Sequence, residues 1–130
     1  MLSPDNYDYV PMPDRGPLKW PGGHRIAVIF TINCEFWPWR EYGHRVGVWR
    51  LFEEFDRAGV PTTCTINALT ALERTRIVEA ANERGWEILA HNWSQTDIMS
   101  SYAGKPDEER EVIQRIIDAY ESVLGRRPRG

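Results

Sequence analysis

Two residues stand where chemistry could be delivered. Glu35 follows the apolar run Ile26-Ala27-Val28-Ile29-Phe30-Thr31-Ile32-Asn33-Cys34, and His91 follows Trp86-Glu87-Ile88-Leu89-Ala90. Both runs have strand character, and in α/β folds the groups at the carboxyl ends of parallel strands line the site. A carboxylate and an imidazole meeting there could take a proton from water and support charge on a reacting carbonyl oxygen. The plainer alternatives are a solvated Glu35 or a partner for Arg40, and a His91 packed at a strand end and bonded to backbone.

The surrounding residues widen the choice. Asn92, Ser94 and Gln95 offer donors and acceptors suited to an amide or imide ligand, and could equally cap a turn. Trp37, Trp39 and Trp93 could stack on a sugar or a heterocyclic ring, or pack against the domain. Flanking Phe36 and Trp37 would limit the solvation of Glu35. Cys34 with His91 across the sheet permits a Cys–His nucleophile pair, although a small buried cysteine is the favoured reading. His24 and His44 read as surface residues.

These groups need elements to hold them. Residues 1–23 contain Pro4, Pro11, Pro13, Pro17 and Pro21 and close on Gly22-Gly23, so they are expected to form an ordered but irregular arm. Tyr7, Tyr9 and Trp20 would pack that arm along the domain of residues 24–130. A first strand is expected at 25–33 and a helix at 44–58, with Val48, Leu51, Phe52 and Phe55 facing inward and Gly59 as its stop. The β-branched run 62–67 reads as a second strand. A broken helix over 68–84 follows, burying Ile77, Val78 and Ala81, and then a third strand at 86–90. Acidic Asp107, Glu108 and Glu109 open a last helix. Its stripe is Val112, Ile113, Ile116, Ile117, Tyr120, Val123 and Leu124. The order β-α-β-α-β-α implies right-handed crossovers and a parallel sheet.

Composition excludes several classes. A formal net charge of -3 gives no basic stripe for nucleic acid. No apolar run approaches the roughly 20 residues of a membrane helix, and the opening residues lack the apolar centre of a signal peptide. Cys34 and Cys64 make no disulfide framework, which points to a reduced pair in a cytoplasmic protein.

Taken together, WPGGHRIAVIFTINCE, YGHRVGVWRLFEEFDRAGVPTTCTINA, IVEAANERGWEILAHNWSQ and the closing GRRPRG resemble the polysaccharide deacetylase superfamily. The likeness is greatest to its allantoinase-like, metal-independent branch. The resemblance runs from Trp20 onward and implies a distorted (β/α) barrel that hydrolyses non-peptide C–N bonds at the carboxyl ends of its strands. In the metal-dependent members, two aspartates after the first strand supply a base and a metal ligand, and two histidines four residues apart complete the ligand set. By position, Glu35 falls on the base, Phe36 on the metal-binding aspartate, His91 on the first histidine and Gln95 on the second. One ligand of three remains, whereas catalytic zinc usually needs three protein ligands. The resemblance therefore implies no tightly bound metal of the usual type, with a divalent ion held partly by His91 as the open alternative.

Three strands are about half of a closed barrel, which takes roughly 250 residues. The expectation is thus the N-terminal half of such a barrel, cut after Gly130 and inactive without the remainder. On this reading Glu35 and His91 are catalytic, while Trp37, Asn92, Trp93 and Gln95 bind a small N-acetyl sugar, cyclic imide or ureide. The alternative is a non-catalytic half barrel that acts as an assembly module, or one chain of a split enzyme. Either version of it implies a homo-oligomer or a partner chain that completes the barrel.

Overall fold

The structure, a computed structural model, describes residues 10–17 and 19–130. Tyr7 and Tyr9 lie outside the described residues. The rest of the arm is irregular as expected, with short 3-10 turns at Met12–Asp14 and Pro21–Gly23 and a partly exposed Trp20.

Three parallel strands form one sheet in sequence order: β1 (Thr31–Cys34), β2 (Thr63–Asn67) and β3 (Glu87–His91). Helix α1 (Val48–Ala58) joins the first two. Helices α2 (Ala68–Glu73) and α3 (Thr75–Glu83) join the second and third, with the break at Arg74. Helix α4 (Pro106–Leu124) follows β3 and ends at Gly125, whose φ of 67° suits the left-handed turn of a helix stop. The β-α-β-α-β-α order read from the sequence is the order observed.

One boundary moves. β1 begins at Thr31, six residues later than the sequence suggests, because its pairing with β2 begins at Thr31 opposite Thr63. Ahead of Thr63 stands Pro61, which has no N–H to give to a ladder. Phe30 is the last residue held, its carbonyl accepting from Thr63 N–H at 3.0 Å and from the Thr62 hydroxyl at 2.7 Å. Before it, Ile26, Val28 and Ile29 are 76%, 68% and 80% exposed.

The helices pack together on one face of the sheet. Ile32, Cys34, Cys64, Ile66 and Ile88 point into a core shared with Phe52, Ile77, Val78, Val112, Ile116 and Tyr120. The alternate residues Thr31, Asn33, Thr63, Thr65 and Glu87 lie on the opposite face, exposed or half-buried. Parallel sheets are ordinarily covered on both faces; here the second face carries these mainly polar residues and half-buried Leu89. Leu51 and Ile113, expected in the core, are instead partly exposed, at 46% and 42%. Both line depressions beside the strand ends.

Two ties hold the helices in place, one to the sheet and one between helices. Tyr120, fully buried, donates its hydroxyl to the carbonyl of Ile66. Burial pushes that phenol well above the ordinary tyrosine range, against the opposing pull of the His91 backbone. Arg84 lies over the rings of Phe52 and Trp86 at 5.1 and 5.5 Å and forks onto Asp56, stitching the end of α3 to α1.

Candidate active site

The three strand ends stand side by side, each delivering a polar residue. Asn67 of β2 is in register with His91 of β3, and Cys34 of β1 is in register with Ile66, so Glu35 follows beside Asn67. At this end of the sheet His91 Nε2 lies 3.7 Å from Glu35 Oε1. Each side chain is about one-third exposed, His91 at 38% and Glu35 at 34%, so a ligand or water can reach both.

Each member of the pair has a second contact. The indole N–H of Trp37 donates to Glu35 Oε2 at 3.2 Å. Gln95 Nε2 is 3.2 Å from His91 Nε2. The amide nitrogen of Gln95 is a donor, so in this contact the imidazole nitrogen accepts. Arg40 makes no ion pair with Glu35; its guanidinium lies 5.7 Å above the ring of Trp37, which is itself 5.9 Å from Trp39.

Depressions flank the pair on both sides. One, of about 730 Å³, is lined by Glu35, Trp37, Trp39, Tyr42, His44 and Leu51 among others. The other, of about 400 Å³, is lined by His91, Asn92, Met99, Ile113 and the chain from Arg127 to Gly130. That last stretch runs along β3, and the carbonyl of Gly130 accepts from Ala90 N–H at 2.8 Å. Glu35, His91, Trp37, Asn92 and Gln95 are therefore brought together. Trp93 is placed elsewhere: its half-buried ring packs on the core beneath Arg115, whose guanidinium is 3.9 Å from the ring centroid.

Two residues of the site are not evident from sequence reasoning. His44, read there as a surface residue, is half-buried in a π-helical turn (Gly43–Gly47) and lines the Glu35 depression. Such turns recur at functional sites. Burial and, after it, the charge of Arg74 lower its pKa below the usual histidine value, so it is neutral at pH 7. The other is Asn67, wholly buried between the two loops. The signal for it was available: it closes β2 as Glu35 and His91 close their runs.

Cys34 is buried, and desolvation followed by the neighbouring Cys64 pushes its thiol up to about 12. That keeps it protonated and unsuited to act as a nucleophile. For a metal, the donor set does not fit. Among the described residues no group of three His, Cys, Asp or Glu side chains converges. Beside His91 and Glu35 the matching positions carry a phenyl ring and a carboxamide.

No family model and no curated protein sequence matches the chain. Solved structures do. A Mycobacterium smegmatis protein assigned as a polysaccharide deacetylase is 27% identical, with a TM-score of 0.73 over 88% of this chain and 45% of that one. A Pseudomonas aeruginosa protein with the same assignment is 33% identical, with a TM-score of 0.61 over 68% of this chain and 28% of that one. PuuE allantoinase is 25% identical, with a TM-score of 0.76 over 94% of this chain and 52% of that one. The chain thus spans about half the length, or less, of the structures it matches. The resemblance read from the sequence holds: the structural neighbours are polysaccharide deacetylases and an allantoinase, and the chain has the fold of part of their barrel.

Proposed function

We propose that this chain carries part of the active centre of a hydrolase acting on non-peptide C–N bonds, of the deacetylase or allantoinase-like kind. The observation that carries this reading is the Glu35–His91 pair at neighbouring strand ends, 3.7 Å apart and open to solvent. Glu35 takes a proton from water, and the resulting hydroxide adds to the carbonyl carbon of the substrate. His91, steadied by Gln95, donates a hydrogen bond to the developing oxyanion. Collapse of the tetrahedral adduct breaks the C–N bond, and the departing nitrogen takes the proton that Glu35 removed from water. The depressions suit a small neutral ligand such as an N-acetyl sugar, a cyclic imide or a ureide, with Trp37 and Asn92 beside it. The scheme is written without a metal, because the positions that match the family's ligands carry a phenyl ring at Phe36 and a carboxamide at Gln95. The two free buried thiols support a reducing, cytoplasmic setting, and no helix among the described residues is long and apolar enough to cross a membrane.

Replacing the base tests the reading. Glu35→Gln in the intact protein keeps the shape and removes the proton acceptor. Hydrolysis of an N-acetyl sugar, cyclic imide or cyclic ureide should fall by about 10²–10⁴-fold. Hydrolysis at the wild-type rate would remove the assignment.

A second reading is favoured by one feature, the exposed apolar run Ile26, Val28 and Ile29 ahead of β1. On that reading the 130-residue chain associates through this edge, with a second copy or a chain that supplies the rest of the barrel, and is not itself a catalyst.

A further inference from the structure

Asn67 is wholly buried at the end of the central strand, directly between the loops that carry Glu35 and His91. Its Oδ1 accepts the backbone N–H of Phe36, the residue after Glu35, at 2.6 Å. Its Nδ2 donates to the carbonyl of Asn92, the residue after His91, at 3.3 Å, and also to Asn92 Oδ1. We propose that Asn67 is a positioning residue, whose carboxamide clamps these two loops and so sets the spacing of the Glu35–His91 pair. The inference rests on the catalytic role proposed above for that pair.

The chemistry demands a carboxamide. One loop offers a donor and the other offers acceptors, so the residue between them must accept on one side and donate on the other. Aspartate keeps the acceptor and loses the donor; alanine loses both. Buried, each lost partner leaves a polar group unpaired.

The two loops are not equally dependent on this clamp. The His91 loop has further anchors, since Ala68 N–H donates to Asn92 O at 3.2 Å and Leu69 N–H donates to Trp93 O at 3.1 Å. The Phe36 amide has Asn67 as its acceptor, while the rest of the Glu35 loop is held by a long bond from Gln95 N–H to Phe36 O at 3.4 Å, by His44 on the Glu35 backbone and by Arg74 on Glu41. Loss of Asn67 therefore releases the Phe36 amide on the carboxylate side and leaves the imidazole side in place.

Amide hydrogen exchange on the intact protein reads this directly. In Asn67→Ala, exchange at Phe36 should speed by about tenfold or more, while Ala68 and Leu69 keep their protection. In Asn67→Asp, which can still accept from Phe36, protection at Phe36 should return. Asn67→Ser repeats the test should the alanine variant fail to fold. Unchanged exchange at Phe36, or an equal rise at all three amides, would overturn the clamp. Activity is read separately, with an N-acetyl sugar, a cyclic imide and a cyclic ureide as probes: kcat should fall about tenfold in Asn67→Ala with KM little changed. A fall in KM-governed binding alone would overturn the positioning role. Faster exchange at Phe36 in the variant, beside a wild type that hydrolyses none of the probes, would uphold the clamp and remove the hydrolase reading.

Discussion

The side-chain nitrogen of Gln95 meets Nε2 of His91 at 3.2 Å, across the four-residue spacing at which a second imidazole would share a metal with the first. The contact joins residues four apart on either side of the turn that follows β3. The carboxamide bonds the ring and so keeps it oriented.

Gln95→Leu should therefore weaken catalysis without unfolding the protein. His91 and Gln95 are both partly exposed, so little packing is lost. Removing one such hydrogen bond is worth about 1 kcal/mol, or roughly a fivefold loss in hydrolysis by the intact protein. Activity equal to wild type would show that Gln95 does not support His91.

Adding two donors beside His91 should create metal binding. Phe36→Asp with Gln95→His, added to His91, supplies three donors of the kind catalytic zinc uses. Zinc analysis after dialysis should find one ion per chain in the double variant and none retained by wild type. Stoichiometric zinc in the wild-type protein would contradict the argument from the donor set.

The buried thiols predict an alkaline limit to stability. The folded state raises Cys34 from 9.0 to about 12 and Cys64 from 9.0 to about 11, in both cases first through burial. A raised thiol contributes its full stabilisation below the unfolded value, near pH 9, and loses it as pH climbs through 11 and 12. Urea midpoints should fall over that range, and fall less in Cys34→Ala/Cys64→Ala. Native thiols should also react with Ellman's reagent far more slowly than unfolded ones; rapid native labelling would contradict their burial.

The edge ahead of β1 makes a separate forecast. Produced as the 130-residue chain, the protein should associate with rising concentration, and Ile29→Lys should reduce this by charging the exposed run. Sedimentation at micromolar concentrations distinguishes the cases. A monomer throughout would remove the assembly reading.

Much of this architecture was legible in the sequence because local patterns carry it. The β-branched residues of β2, the inward stripe of α3 and the glycine stops of α1 and α4 each follow from neighbours a few residues away. Glu35 and His91 were legible for the same reason, as polar residues at the ends of apolar runs. The start of β1 was not, since it is set where pairing with β2 begins, just after Pro61 on the other chain segment. Asn67 was missed because its partners lie 31 and 25 residues away. His44 enters the site through a π-helical turn that no apolar period announces.

The strand order carries a consequence for how the molecule is made. Each strand pairs with the one synthesised just before it, and α1 to α3 form the intervening crossovers. Among the described residues, each strand of the sheet pairs with one that lies a single β-α unit away. The sheet can therefore grow along one edge as the chain leaves the ribosome, each new β-α unit docking on a finished neighbour. His91 is the last of the three strand-end residues to be synthesised, and the β1–β2 pair that carries Glu35 and Asn67 precedes it in the chain.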